Sequence, residues 1–389
     1  MNEPAVTNIL GVGWDHDRCM APLRASVGPY RSIDPHVAIT WDTRSLKDFG
    51  DGNLEALAER YDLLIFDHPY VGAAAAGGWL VNWRPLLSPA EIKEFECDSL
   101  GPCFESYCSG DGIWGLPIDA AAQVSAMRVD LLARLDAPPP RSGADVIRLA
   151  RAARREGLWI ALPSVPIDAI SSFLTLCANL GDPVPRVPTG FPRRETVRIA
   201  LDVLAELIAH AHPNSLQWNP IGCFNYMTSH DDICYVPFAY GYSNYSRRSD
   251  LRALRFVNIP AFGNYGPVGA ILGGAGIAIS AKCRDLDRAK RYALHLVAAS
   301  HQAGEYTMSG GQPASLRAWR EPACDAATNG FFSGTIETMS HAYLRPTFDG
   351  FVPYFRSAGE LIHGFLQKEN EPGDVADRLE SEFLALARG

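Results

Sequence analysis

Short apolar segments, each followed at once by polar residues, are the feature that most constrains the fold of this chain. The segments 8–12, 37–41 and 63–66 are typical of buried strands, and predicted helices over 18–27 and 54–60 separate them. Strands that alternate with helices predict βαβ units and a parallel sheet. Right-handed crossovers bring the carboxyl ends of the three strands to one edge of that sheet.

The polar residues at these strand ends predict a ligand site. The chain leaves the three strands through Trp14-Asp15-His16, Asp42-Thr43-Arg44 and Asp67-His68-Pro69. Open α/β sheets bind small molecules at the carboxyl edge of their strands. We therefore expect a small-molecule ligand or substrate there.

Composition excludes several other kinds of partner. The chain has 389 residues and a formal net charge of -9, which argues against binding to nucleic acid. No run approaches the roughly 18 apolar residues of a membrane-spanning helix, so no membrane insertion is expected. The N-terminus shows no secretory leader, which predicts a cytoplasmic protein, or a periplasmic one only if a leader has been removed.

The nine cysteines are scattered and form no C-x-x-C pair, which favours reduced thiols in the cytosol. They cluster only at Cys97, Cys103 and Cys108, where no histidine spacing completes a zinc site. No dinucleotide, Walker or G-x-S-x-G motif is present. We therefore expect neither a metal nor a cofactor.

A second α/β lobe is predicted after the proline run 138–140. Ser142 and Asp145 form a capping box at the start of a helix that ends near Gly157. Further segments typical of strands cover 159–162 and 232–237, and two amphipathic helices lie between them. Residues 273–276 predict a turn before a buried strand, and the tail from 354 to 388 is predicted to be largely helical.

The order of these motifs resembles that of the extracellular solute-binding proteins of ABC importers, of the sugar-binding type. The matching segments are a Gly-Gly-x-Gly followed by Ile277-Ala278-Ile279-Ser280, then Gly311-Gln312-Pro313-Ala314 about thirty residues later. Upstream, Tyr61 to Asp67, Leu116 to Asp119 and Asp231 to Tyr235 lie at the corresponding positions. The likeness covers nearly the whole chain.

This resemblance implies a two-lobed periplasmic-binding-protein-like fold of type II, with mainly parallel sheets flanked by helices and a ligand cleft between the lobes. The first lobe would comprise residues 1–118 and 260–312, and the second 125–255 and 320–389. Hinges would lie near 118–124, 256–260 and 312–320, and closure about them would grip the ligand. An importer permease is an expected partner only if the protein is exported.

Aromatic and amide side chains are the first group of candidate ligand contacts. Trp14, Tyr240 and Tyr242 are suited to form flat walls, and Gln123, Asn244, Gly311 and Gln312 complete the group as polar or backbone contacts. Strand-like alternation after residue 240 predicts that Tyr240, Tyr242 and Asn244 share one side. The alternative is that this tyrosine-rich stretch packs a lobe edge.

Acidic and imidazole groups form the second set: Asp15, His16, Asp67, His68 and Asp119. A carboxylate beside an imidazole suits ligand binding or acid–base chemistry. The alternatives are that Asp15 and Asp67 cap the helices that follow them, and that Asp119 forms a hydrogen bond at a hinge.

Two functions follow from these residues. The first is binding of a small polar, neutral or weakly cationic molecule. The second is a cytosolic enzyme on the same fold that uses Asp67, His68 and Asp119 as acid–base groups. The missing leader favours the enzyme, whereas the missing nucleophile and cofactor motifs favour the binder.

Overall fold

The computed structural model describes residues 6–46, 48, 53–247, 249–250 and 252–388, which divide into two compact units. Unit 1 comprises Met1–Ala120, Gly273–Ala327 and Thr347–Asp349. Unit 2 comprises Ala121–Leu272, Thr328–Pro346 and Gly350–Gly389. Among the described residues, no helix is both long enough and apolar enough to span a membrane.

The described residues form the strands β1 (Thr7–Trp14), β2 (Val37–Arg44), β3 (Leu63–Phe66), β4 (Cys108–Ser109), β5 (Gly112–Ile113), β6 (Leu116–Met127), β7 (Trp159–Ile160), β8 (Ile233–Tyr240), β9 (Arg255–Val257) and β10 (Leu272–Ile279). The first three lie where the sequence predicts them. The last contains residues 273–276, so the predicted turn there is wrong. Gly274 has φ +111° inside that strand, and a Cβ would lie 2.4 Å from the Asp119 carbonyl oxygen, so the glycines allow two backbones to approach closely.

The helices are α1 (Asp17–Ile33), α2 (Leu54–Arg60), α3 (Val71–Gly77), α4 (Pro89–Cys97), α5 (Val129–Arg134), α6 (Gly143–Arg155), α7 (Pro166–Asn179), α8 (Arg194–His210), α9 (Pro220–Met227), α10 (Leu286–Val297), α11 (Ala299–His301), α12 (Leu316–Arg320), α13 (Pro322–Ala327), α14 (Phe331–Ser340), α15 (Phe351–Leu366) and α16 (Pro372–Ala385). The predicted capping box is confirmed, because Ser142 Oγ accepts from the Asp145 amide and the Asp145 carboxylate accepts from the Ser142 amide.

The sheet of unit 1 has the strand order β2-β1-β3-β10. Strand β1 pairs in parallel with β2 and with β3, whereas β10 runs antiparallel to β3. The predicted parallel βαβ arrangement is therefore confirmed, and it places Trp14 opposite Arg44 at the carboxyl edge. A core of buried apolar side chains from β1, β3, α1 and α10 supports this sheet.

In unit 2, β7 pairs in parallel with β8, while β6 runs antiparallel to both β8 and β9. Helix α7 is buried along nearly its whole length and packs against α15. A Cβ on Gly359 of α15 would lie 2.7 Å from the Pro166 carbonyl oxygen, so this glycine permits the close contact. This contact fixes the N-terminus of α7 against α15.

Both later unit boundaries lie further along the chain than the hinges expected at 256–260 and 312–320. Residues 260–272 stay with unit 2 because Asn179 Oδ1 accepts from the amides of Phe262 and Gly263, at 2.7 and 3.2 Å. Residues 313–327 stay with unit 1, where Asp98 accepts from the Leu316 and Arg317 amides. Hydrogen bonds between residues so distant in the chain leave no pattern in the local sequence.

Candidate functional site

The carboxyl edge of the unit 1 sheet brings together several of the predicted residues. Trp14 and Arg44 end adjacent strands, and the Arg44 guanidinium donates to the Ile65 carbonyl oxygen at 2.9 Å. His68 is buried, and its Nδ1 lies 3.1 Å from Asp67 Oδ1. The cap that the sequence allowed for Asp67 does not form, because no backbone amide of the following turn donates to its side chain. The sequence places Arg44 at this edge but does not select it as a candidate ligand contact.

His16, rather than Asp15, caps helix α1. Its Nδ1 accepts from the Arg18 amide at 3.1 Å. Burial, and secondarily the Arg18 guanidinium, lower the pKa of His16 from 6.5 to about 4. The ring is therefore neutral at physiological pH, as a cap that accepts a hydrogen bond requires.

We expect acidic pH to lower the free energy of unfolding of unit 1, because the unfolded state protonates His16 more readily than the folded state does. Since the folded-state pKa lies below the unfolded value, the stability that this group contributes is present above pH 6.5 and is lost as the pH falls towards about 4. His16→Asn keeps a side-chain acceptor for the cap but has no group that titrates in this range. Between pH 6.5 and about 4, the free energy of unfolding of the variant should therefore fall by up to about 3 kcal/mol less than that of the wild type. Urea unfolding at a series of pH values measures this difference, and equal pH slopes for the two proteins would contradict it.

Asp119 is buried in unit 1 and forms a two-pronged ion pair with Arg18. Arg18 Nε donates to Asp119 Oδ2 at 2.8 Å, and Arg18 Nη2 donates to Asp119 Oδ1. Burial raises the pKa of the Asp119 carboxyl, while the guanidinium acts in the opposite direction. Because each carboxylate oxygen accepts from the guanidinium, the structure gives Asp119 a structural partner within its own unit.

Two predicted glutamines also have internal partners. In unit 2, Gln123 Nε2 donates to Ser172 Oγ at 3.0 Å, and its Oε1 accepts from Thr175 Oγ1 at 2.6 Å. In unit 1, Gln312 Nε2 donates to the Ala120 carbonyl oxygen at 2.7 Å, and the buried Gly311 precedes it. The Gln123 amide therefore joins β6 to α7, and the Gln312 amide binds the backbone of β6.

The carboxyl edge of unit 2 collects the remaining candidates. Strand β8 ends at Tyr240, whose hydroxyl lies 3.4 Å from Ser171 Oγ of α7. The expected alternation beyond Tyr240 is wrong, because residues Ser243–Tyr245 form a 3₁₀ turn. Tyr242 precedes this turn and is nearly buried. Asn244 lies within it, and its Oδ1 is buried with no hydrogen-bond partner among the described residues.

Sequence inspection missed Asp168, which lies at the same edge of unit 2. It occupies the first turn of α7, the helix that follows β7 in the chain, and β7 is parallel to β8. Its side chain is 3% exposed, and within the described part of the chain its Oδ2 has no hydrogen-bond partner. An acidic residue inside the apolar run 165–180 was the signal that could have identified it.

A separate groove of about 660 Å³ lies on unit 2 between α6 and α8. Its charged lining residues include Arg148, Arg151 and Glu206. Arg148 pairs with Asp145, and Arg151 lies 3.4 Å from Glu206. Exposed pairs of this kind contribute little binding energy, and no group of His, Cys, Asp or Glu in the described residues is arranged to hold a metal ion.

Solved structures match this architecture over the full length of the chain. The acarbose-binding GacH receptor of Streptomyces glaucescens is 15% identical with a TM-score of 0.81, and the match covers 99% of each chain. A solute-binding protein of Agrobacterium radiobacter in complex with ribitol is 16% identical with a TM-score of 0.80, covering 99% of this chain and 100% of that one. Maltose-bound MalE3 of T. maritima is 16% identical with a TM-score of 0.80, covering 97% and 99%.

The chain has the fold of the ABC-importer solute-binding proteins. This confirms the predicted fold class, a two-lobed α/β periplasmic-binding-protein-like fold. No protein-family model matches the sequence, and no curated protein matches it. Since the identities are low, the shared property is the periplasmic-binding-protein-like architecture itself.

Proposed function

We propose that this protein binds a small polyhydroxylated solute, a sugar or a polyol, and releases it unchanged, in the manner of an importer's solute-binding component. The observation that carries the proposal is the pair of unpartnered acceptor oxygens at the carboxyl edge of unit 2, Asp168 Oδ2 and Asn244 Oδ1. Buried acceptors without donors are costly. A hydroxyl-rich ligand supplies donors to both.

The surroundings of these oxygens support the same ligand class. Tyr240 and Tyr242 place aromatic rings at the end of β8, and Ser171 adds a hydroxyl. Flat apolar rings beside a few polar groups suit the faces and hydroxyls of a sugar. Acarbose, ribitol and maltose are the ligands of the three structural neighbours.

Binding rather than turnover is favoured by the state of Asp119. Both of its carboxylate oxygens accept from Arg18, so this residue is poorly placed to take a proton from a substrate. Without Asp119, the acid–base set considered from the sequence reduces to Asp67 and His68.

A panel of neutral sugars and polyols tests the proposal directly. We expect native mass spectrometry and calorimetry to detect one bound molecule per chain for at least one of maltose, ribitol and glucose. The compound should be recovered with its mass and connectivity unchanged. Absence of binding across the panel and its amino counterparts, or recovery of an altered compound, would overturn the proposal.

Asn244→Ala is expected to weaken binding of the best ligand by about 1–3 kcal/mol, because an acceptor for a ligand hydroxyl is removed. The melting temperature should change little, since Asn244 Oδ1 has no partner in the described protein. Asn214→Ala is the matched control, because Asn214 is exposed in the same unit. Calorimetric titration measures both variants, and equal affinities would exclude Asn244 from the site.

A further inference from the structure

Helix α7 carries a buried polar stripe that points to a specific role for Asp168. The members are Asp168, Ser172, Thr175 and Asn179, which follow one another at intervals of three or four residues. This spacing places them on one face of the helix. All four side chains are at least 97% buried.

Three members of this stripe have hydrogen-bond partners within unit 2. Ser172 and Thr175 hold the two ends of the Gln123 amide. Asn179 accepts from two backbone amides and donates to the carbonyl oxygens of Gly266 and Val268 at 3.1 and 2.8 Å. The fold thus supplies hydrogen-bond partners for Ser172, Thr175 and Asn179.

Asp168 is the exception, and it is the member nearest the carboxyl edge. Its Oδ2 has no hydrogen-bond partner among the described residues. Burial raises its pKa, and no lysine, arginine or histidine among the described residues contributes to the shift. The described part of the chain therefore supplies no counterion of the kind that a buried carboxylate normally has.

Other elements of unit 2 converge on the same place. The amides of Ser164 and Val165, just before α7, donate to the Trp218 carbonyl oxygen, which brings the start of α9 alongside. Burial, and secondarily the charge of Asp168, raise the pKa of the Cys223 thiol in the first turn of α9. Asp168 thus lies between the start of α9 and the end of β8.

We propose that Asp168 binds a protonated amine of the ligand, so that the solute is an amino sugar or an amino polyol. This inference rests on the proposed function and specifies its ligand class. An ammonium group offers three donors and the missing positive charge. A neutral hydroxyl would satisfy one lone pair and leave the buried charge uncompensated.

Paired ligands that differ in one group test the inference. We measure binding of each ligand to the protein by calorimetric titration at about pH 6, where such amines are protonated. The two pairs are glucose with glucosamine, and ribitol with an aminated pentitol. We expect the wild type to bind the amine-bearing member of at least one pair 10-fold or more tightly than its neutral counterpart. Asp168→Asn should abolish this preference, and Asp168→Glu should retain part of it.

Asp374→Asn is the matched control. Asp374 is also the third residue of a helix of unit 2 that begins with proline, α16, but it is exposed. Its replacement should leave the amine preference intact. A melting curve for each variant shows whether it is folded at the temperature of the binding measurements.

The outcomes separate this inference from the proposed function. If the wild type binds neutral sugars as tightly as their amines, or if Asp168→Asn keeps the preference, the amine site is excluded while sugar binding stands. If no member of either series binds, the proposed function fails and the inference fails with it.

Discussion

Unit 1 is expected to lose about 3–5 kcal/mol of unfolding free energy when Asp119 is replaced by alanine. Arg18 and Asp119 are 3% and 2% exposed, and the guanidinium donates to both carboxylate oxygens. Removal of the carboxylate leaves the buried guanidinium without both of these charge-assisted hydrogen bonds. Urea unfolding followed by circular dichroism measures the loss.

Two further variants show whether the effect comes from the buried pair. Arg18→Met combined with Asp119→Leu removes both charges and should recover most of the lost stability, since apolar replacements of buried pairs are often neutral. Glu96→Ala breaks the exposed Lys93–Glu96 pair of the same unit and should cost less than about 1 kcal/mol. If Asp119→Ala costs no more than Glu96→Ala, the pair is solvated in solution and the interpretation is wrong.

Asp168→Asn is expected to stabilise the protein without ligand by about 1–3 kcal/mol at neutral pH. Burial raises the folded-state pKa of Asp168 well above its ordinary value of 3.8. The folded state therefore binds more protons than the unfolded state, so the wild type loses stability as the pH rises above 3.8. The advantage of the variant should be small below that pH and should grow above it.

Thermal unfolding at a series of pH values measures this effect, and the melting temperature of Asp168→Asn should rise by several degrees at neutral pH. Asp374→Asn provides the matched exposed control and should give overlapping curves with the wild type. A variant that is less stable than the wild type at neutral pH would show that Asp168 has a partner in solution. A gain in stability together with a loss of ligand preference is typical of a binding residue.

Local patterns predicted the helices and strands of this chain well. The strands 8–12, 37–41 and 63–66 and the parallel pairing of β1 with β2 and β3 follow from apolar runs and their spacing. The capping box at Ser142 is likewise a local signal. These features depend on residues a few positions apart, so a single sequence contains them.

The partners of the polar groups were less predictable, because they are distant in sequence. Asp119 was predicted to contact the ligand or to form a hydrogen bond at a hinge, but the local sequence does not identify its partner, because Arg18 lies 101 residues earlier. Gln123 appeared as a ligand contact, although Ser172 and Thr175 hold its amide. Asp168 shows the converse case, since only the structure reveals that its Oδ2 has no hydrogen-bond partner among the described residues. The 3₁₀ turn at residues 243–245 also escaped prediction, because the preceding strand pattern continues into it.

The cysteines offer a way to follow the two units separately. All nine are free thiols, and six are buried: Cys19, Cys103 and Cys324 in unit 1, and Cys177, Cys223 and Cys234 in unit 2. Burial raises the pKa of the five for which a shift is resolved, which slows alkylation until the surrounding structure opens. Exposed Cys97 should react at once. A brief pulse of alkylating reagent, read by peptide mass, therefore times the opening of each half of the native chain without any engineered label.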